Sequence, residues 1–283
     1  MSKNNFSIKF WGTRGSIPAP GPKTVRYGGN TACIEVRFGS ELLILDAGTG
    51  INGLGAELSN GHPVNGSILF SHTHWDHIQG MPFFRPAYNP WNHFRLYGNK
   101  NWDITLKDAL RIQMRRPNFP VNLDDIGLEG AKIEFINIGV GESFQVGFRD
   151  KATVTSFELH HTDQAIGFRI DYMGRSIVYA TDNEGIDPDD KVIKVAQEAD
   201  ILIHDAQYSY EEYFGLNGNF KKGFGHSIPE NAAKTALAAR VKLLVMFHHD
   251  PYHDDKTVDE MLEATSRIFP KTIAASEGLK LYI

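Results

Sequence analysis

His72-Thr73-His74-Trp75-Asp76-His77 places three histidines and an aspartate within six residues. The run follows the apolar stretch Ser67-Ile68-Leu69-Phe70-Ser71, which predicts a loop leaving a buried strand. Histidines two residues apart can reach one ion, and the adjacent Asp76-His77 pair can face a second. Imidazole nitrogen and carboxylate oxygen suit zinc, and also manganese or iron. A lone loop histidine is usually a satisfied polar group, but four potential ligands in six positions fit that role poorly.

Working outward, further histidines and carboxylates stand where strand patterns end. His160-His161 follows residues 154–159, Asp182 follows 177–181, and His248-His249 follows 243–247. Ligands at the ends of neighbouring strands converge on one sheet edge, on rigid supports. On the residues alone, His72, His74 and one of His160 or His161 would serve one ion. Asp76, His77 and one of His248 or His249 would serve the other, with Asp182 bridging.

Strand-like runs recur at residues 8–11, 31–38, 42–46, 68–71, 132–136, 152–159, 165–171, 176–181, 201–204, 243–248 and 279–283. Helical patterns cover 103–114, 188–199, 229–240 and 258–269, with Pro229 in a first turn and Ser227 as its expected cap. Strand blocks interrupted by helices without strict alternation predict an α+β protein, with two sheets flanked by helices. The chain is read as one domain over 1–283, with no internal repeat. Residues 81–130, rich in Pro, Asn and aromatics, are read as an irregular excursion near the site.

Composition narrows the function. With 283 residues, 41% hydrophobic and 22% charged, the chain can bury a sizeable core. A net charge of -5 lacks the basic footprint of a nucleic-acid binder, so no extended nucleic acid is expected. The single Cys33 excludes an intramolecular disulfide and reads as core filling. There is no signal-peptide core and no run of about 20 apolar residues, so a cytoplasmic protein without membrane contact is expected. A homodimer is expected only because dimers are common.

The motif at 72–77, with Asp46 before it and His161, Asp182 and His248 after it, resembles the metallo-β-lactamase superfamily along essentially the whole chain. The resemblance implies a four-layer αββα sandwich with a dinuclear site, two divalent ions and zinc foremost. It selects His161 over His160, and His248 is taken over His249 because it directly follows its strand, giving His72, His74, Asp76, His77, His161, Asp182 and His248 as ligands. Asp46 would orient the metal loop. Zinc β-lactamases carry a cysteine where this chain has Asp182, which argues against that activity.

Ile203-His204-Asp205-Ala206 and Gly225-His226-Ser227 resemble the phosphodiesterase branch that includes ribonuclease Z, with Asp205 where glutamate is usual. The stretches 10–18, 27–31 and 247–251 resemble bacterial cyclic-nucleotide-phosphodiesterase-like proteins. The resemblance implies hydrolysis of a small phosphodiester such as a cyclic nucleotide. Water activated at the ions attacks phosphorus, Asp76 accepts a proton, and His226 held by Asp205 is the general acid. The alternatives are a tRNA 3′-processing endonuclease, which would want a basic arm, and a thioester or lactone hydrolase on the same metal set. A binding protein without turnover would keep the ligands but not need the acid. Arg111, Arg115 and Arg116 are the notable basic cluster, and Arg14 either meets a phosphate or ties down its Gly-rich turn.

Overall fold

The computed structural model describes residues 6–185, 190–216, 218 and 220–283. The polar residues 1–5 and the predicted helix start at Pro188 lie outside them. One seven-stranded sheet holds β1 (Phe6–Gly12), β2 (Cys33–Phe38), β3 (Glu41–Leu45), β4 (Asn65–Leu69), β5 (His93–Asn99) and β6 (Lys132–Ile138), in that order. The second holds β7 (Ser143–Val146), β8 (Ala152–Glu158), β9 (Ile166–Tyr172), β10 (Arg175–Ala180), β11 (Ile201–Asp205), β12 (Leu243–Phe247) and β13 (Thr272–Ala274). The last strand, β14 (Lys280–Tyr282), returns to pair with β1 in the first sheet. The helices are α1 (Ile51–Leu58), α2 (Trp75–Ile78), α3 (Leu106–Gln113), α4 (Leu123–Glu129), α5 (Asp190–Val195), α6 (Tyr210–Tyr213), α7 (Pro229–Ala239) and α8 (Asp255–Ile268).

Strand periodicity assembles these into layers. Along β3, Leu43 and Leu45 point between the sheets, where Ile177 and Tyr179 of β10 and Val245 and Phe247 of β12 meet them. The alternate residues Leu42 and Ile44 point outward onto Ile51 and Leu54 of α1 and Leu106 and Leu110 of α3. On the opposite outer face Val178, Leu202 and Leu244 pack against Ala232, Ala233 and Ala236 of α7. β3 and β11 are buried at every position because both their faces are covered. The result is the expected αββα sandwich. Cys33 packs in the outer core of the first sheet. No helix among the described residues is long and apolar enough to cross a membrane.

Each sheet mixes antiparallel strands with a parallel run, β3 to β6 in the first and β10 to β13 in the second. The two halves of the chain thus share a strand plan that no sequence repeat discloses. Residues following β3, β4, β10, β11 and β12 meet at one edge, which is where the site forms.

Three sequence expectations change. Residues 81–130 are largely regular: β5 pairs in parallel with β4 and β6, and α3 and α4 cover the outer face. Phe84 from this segment is buried edge-on against Phe94 of β5, 5.1 Å between ring centroids. The segment does reach the site, through Asn99 to Ile104 rather than through its aromatic run. The first residue outside α7 is Ile228, and the Ser227 hydroxyl bonds to the Ile228 carbonyl instead of capping the helix. Strands β5, β7 and β13 were not expected.

Candidate metal centre

Backbone turns at strand ends aim the site residues inward. Asp46, Asp182 and His248 follow strands β3, β10 and β12, and all adopt positive φ, of 58°, 50° and 63°. Non-glycine residues hold this left-handed region only where their surroundings fix them, and such positions concentrate at functional sites. The loop after β4 carries His72 and His74, and the single turn of α2 then presents Asp76 and His77 on the same side.

The structure brings all seven sequence-predicted ligands together, in two groups. In the first, ligand atoms of His72, His74 and His161 lie within 4.8 Å of one another, with His74 Nδ1 3.1 Å from His161 Nε2. In the second, His77 Nε2 is 3.2 Å from Asp76 Oδ2, and His248 Nε2 is 3.1 Å from the same oxygen. Asp182 stands between the groups. Its Oδ2 is 3.1 Å from His77 Nε2 and 3.3 Å from His248 Nε2, and its Oδ1 is 3.7 Å from His72 Nε2 and 3.9 Å from His161 Nε2. The doublets separate cleanly. His160 is exposed, and His249 turns away to donate from Nε2 to the Ala275 carbonyl at 3.0 Å.

The hydrogen-bond network assigns the tautomer of each imidazole. His77 donates from Nδ1 to Asp46 Oδ2 (2.8 Å), His161 from Nδ1 to the Gly225 carbonyl (2.9 Å), and His248 from Nδ1 to Gln207 Oε1 (2.8 Å). His72 Nδ1 meets Ser71 Oγ at 3.1 Å, which itself donates to Asp46 Oδ2 at 2.8 Å. Each of these four rings therefore turns its Nε2 lone pair inward. His74 is reversed: Nε2 donates to Asp163 Oδ2 at 2.5 Å, and Nδ1 faces the group. Metal-bound histidines are oriented by such partners.

Asp46 is the hub of this support, also accepting from Ser71 N (2.7 Å) and Tyr179 OH (2.7 Å). A second support escaped sequence reasoning. The turn at residues 13–16 lies between Thr31 and His249, and Ser16 N donates to Asp76 Oδ2 at 2.7 Å. Gly15 sits so close to His248 that an added Cβ would be 2.4 Å from its Cε1. The only signal for this was the glycine itself. Arg14 resolves as a structural residue: its buried guanidinium donates to the carbonyls of Gly28, Asp250 and His253.

Beside these groups, Asp205 Oδ2 accepts from His226 Nδ1 at 2.8 Å, while Oδ1 accepts from the backbone of Gln207 and Ser227. The His226 ring stacks on His248, 5.1 Å between centroids, and a ring nitrogen lies within 4.8 Å of ligand atoms of His161 and Asp182. Burial lowers the His226 pKa, but the charge and hydrogen bond of Asp205, with the charges of Asp182 and Asp76, outweigh it and push the group up to about 9.

The donor set fits a pair of divalent cations. Burial disfavours ionised Asp76 and Asp182, yet the surrounding imidazoles hold both well below the usual carboxylate range. Burial likewise lowers His77, yet Asp182, Asp76 and Asp46 raise it well above an ordinary histidine. Burial with neighbouring His77 pushes His72 down, and its buried Nε2 has no hydrogen-bond partner. Asp46, Asp76, Asp182 and Asp205 are all buried, a concentration of negative charge that needs compensation. The second group's edges that run from His77 and His248, 3.1 to 3.3 Å, are close to the roughly 3.3–3.4 Å expected of a tetrahedron around an ion with bonds of about 2.0–2.1 Å.

Residues 43–249 match the beta-lactamase superfamily domain. The chain belongs to this family. Among curated relatives, the metallo-β-lactamase-family chain is 28% identical to ribonuclease Z of Sulfurisphaera tokodaii, covering 76% of this chain and 80% of that one. Among solved structures, the metallo-beta-lactamase fold protein YhfI from Bacillus subtilis superposes with a TM-score of 0.72 at 17% identity, covering 99% of this chain and 100% of that one. The human tRNase Z short form gives 0.67 at 20% identity, covering 97% and 98%. The protein is a metal-dependent hydrolase in the phosphodiesterase branch of the superfamily.

Proposed function

We propose that this protein hydrolyses phosphodiester bonds of RNA, as its ribonuclease Z relatives are named for doing. The observation that carries the reading is the Asp205–His226 pair set against both donor groups, which ester hydrolysis at the same ligands would leave unused. His72, His74 and His161 would hold one ion, and Asp76, His77 and His248 the other, with Asp182 shared. Zinc is favoured by five imidazoles among seven ligands. When bound, such ions polarise a phosphoryl oxygen and acidify water.

The chain's own residues handle the protons. Asp76, its Oδ2 held by Ser16 N and facing His248, takes the proton of the attacking water on its other carboxylate oxygen. His226, kept protonated by Asp205, donates from Nε2 to the departing ribose oxygen. His226 stands beside both donor groups, so cations held there would lower its pKa from about 9 by like-charge repulsion and make it a readier proton donor.

The similarity to ribonuclease Z runs against the expectation of a small diester with no extended nucleic acid. One observation still favours a small substrate such as a cyclic nucleotide. Arg111, in the single basic cluster singled out, is ion-paired to Asp124 at 2.9 Å and Asp108 at 3.2 Å, so it is poorly placed to grip RNA. Incubating zinc-loaded protein with a structured precursor tRNA separates the readings. Cleavage abolished by chelation supports the RNA reading. An uncut precursor beside turnover of 2′,3′- or 3′,5′-cyclic nucleotides transfers the proposal to small diesters.

A further inference from the structure

A cavity of about 630 Å³ is lined by His161 of the first donor group and by the residues on either side of His226-Ser227. Gly225 and Ile228, bracketing the His226-Ser227 step, are among its walls. Its volume falls within the range of about 300–1,000 Å³ typical of small-molecule sites. One wall is aromatic: Phe214 lies 4.6 Å from Tyr210 and 5.0 Å from Tyr213, centroid to centroid. Tyr210 and Phe214 remain 47% and 41% exposed, so their faces are offered to a ligand instead of to the core.

The wall is anchored from the metal centre. Glu184, two residues beyond Asp182, accepts from Tyr213 OH (2.9 Å), Gly223 N (2.6 Å) and Gly225 N (3.1 Å). Lys222 and Lys234 also line the cavity. Glu230 lines it too, and its buried Oε2 has no hydrogen-bond partner, leaving an acceptor for an amino group. A second cavity of about 730 Å³ that shares His160, His161 and Thr162 with it differs in charge: Asp103, Glu158 and Asp163 line it, with no lysine or arginine among the described residues. Of the two cavities, the one that Lys222 lines is the better suited to a phosphate.

We propose that this cavity binds the leaving half of the substrate as a nucleotide, its base on the Tyr210–Phe214 face and its own phosphate toward Lys222. The departing ribose oxygen then reaches His226. In the step, water oxygen bonds to phosphorus and the bond from phosphorus to that ribose oxygen breaks. His226 supplies the proton to the ribose oxygen, and Asp76 takes one from the water. The inference rests on the phosphodiesterase reading and deepens it: a leaving group that is itself a nucleotide means an oligonucleotide, because in a cyclic nucleotide the leaving oxygen stays on the same nucleoside.

The test is calorimetric titration of zinc-loaded protein with adenosine 5′-monophosphate and with ribose 5-phosphate. Base stacking on an aromatic ring is worth about 1–3 kcal/mol, or roughly 5- to 150-fold. The nucleotide should bind at least about fivefold more tightly than the sugar phosphate. Phe214→Ala should erase that preference while leaving the sugar phosphate unchanged, and Lys222→Ala should weaken both ligands. Retained zinc stoichiometry and unfolding midpoint show that the variants are folded. Equal binding of the two ligands, or an unchanged preference in Phe214→Ala, overturns the inference. Bis(p-nitrophenyl) phosphate turnover by the unmodified protein is measured alongside. Turnover without nucleotide preference defeats the cavity assignment alone, whereas absent turnover defeats the hydrolase reading beneath it.

Discussion

Replacing Gly15 by alanine adds a single methyl group at a point where the structure has no room for it. The new Cβ would lie 2.4 Å from His248 Cε1, 2.5 Å from Nδ1 and 2.8 Å from Gln207 Oε1. Carbon atoms in contact rest at about 3.5–4.0 Å, so ring or turn must shift by roughly 1 Å. If the ring moves, His248 loses its 2.8 Å bond to Gln207 and its alignment with Asp76 and Asp182. If the turn moves, Gly15 N loses the His249 carbonyl (3.0 Å) and Ser16 N loses Asp76 (2.7 Å). Either movement disturbs the second donor group and spares the first. Loss of such supporting contacts typically costs about 10- to 100-fold in metal affinity. Competition with a chromophoric chelator should therefore show one zinc weakened by that factor and the other unaffected, with cooperative thermal unfolding retained. Two zincs bound with unaltered affinity would refute the claim that Gly15 positions His248.

Other outcomes follow from the same contacts. Asp46→Asn replaces acceptor capacity shared by Ser71, His77 and Tyr179, so zinc affinity at the second group should fall about 10- to 100-fold in the chelator assay. His226→Ala should keep both zincs and lose about 10²- to 10⁴-fold in kcat on a substrate with a ribose leaving group. It should lose far less on bis(p-nitrophenyl) phosphate, whose leaving anion needs little protonation; equal losses would remove His226 as the acid. Burial pushes His249 down to about 3, against about 6.5 in an unfolded chain. Between those values only the unfolded state takes up the proton, so stability declines as pH falls from about 6.5 toward 3. Urea unfolding of chelated protein at pH 7 and pH 5 should show a smaller decline in His249→Asn. Phe247→Ala, in the packing between the sheets, should cost about 3–5 kcal/mol in the same assay.

What the sequence disclosed was what lies close along the chain. The 72–77 motif is local, and the strands feeding Asp46, Asp182 and His248 are apolar runs, so their ends were legible within a residue or two. Strand β5 was hidden because Pro and Asn precede it and Arg95 interrupts it; that arginine bonds to Glu134 and the Gly147 carbonyl outside the core. β7 and β13 are edge strands of four and three residues, too short to show a period. The choice of His161 over His160 depended on resemblance and that of His248 over His249 on its place directly after the strand, because only backbone turns decide which ring faces inward. Gly15, Ser16 and Gln207 were missed for a related reason: Ser16 and Gln207 are 191 residues apart, and their meeting is a property of the packed sheets.

The most direct test of the account is a zinc titration of metal-free protein, followed by the initial rate of bis(p-nitrophenyl) phosphate hydrolysis at each step. Two adjoining ligand groups sharing Asp182 predict little turnover at one equivalent and a steep rise to a plateau at two, reversed by chelation. Full turnover at one equivalent, or none at two with both sites filled, would contradict a dinuclear phosphodiesterase.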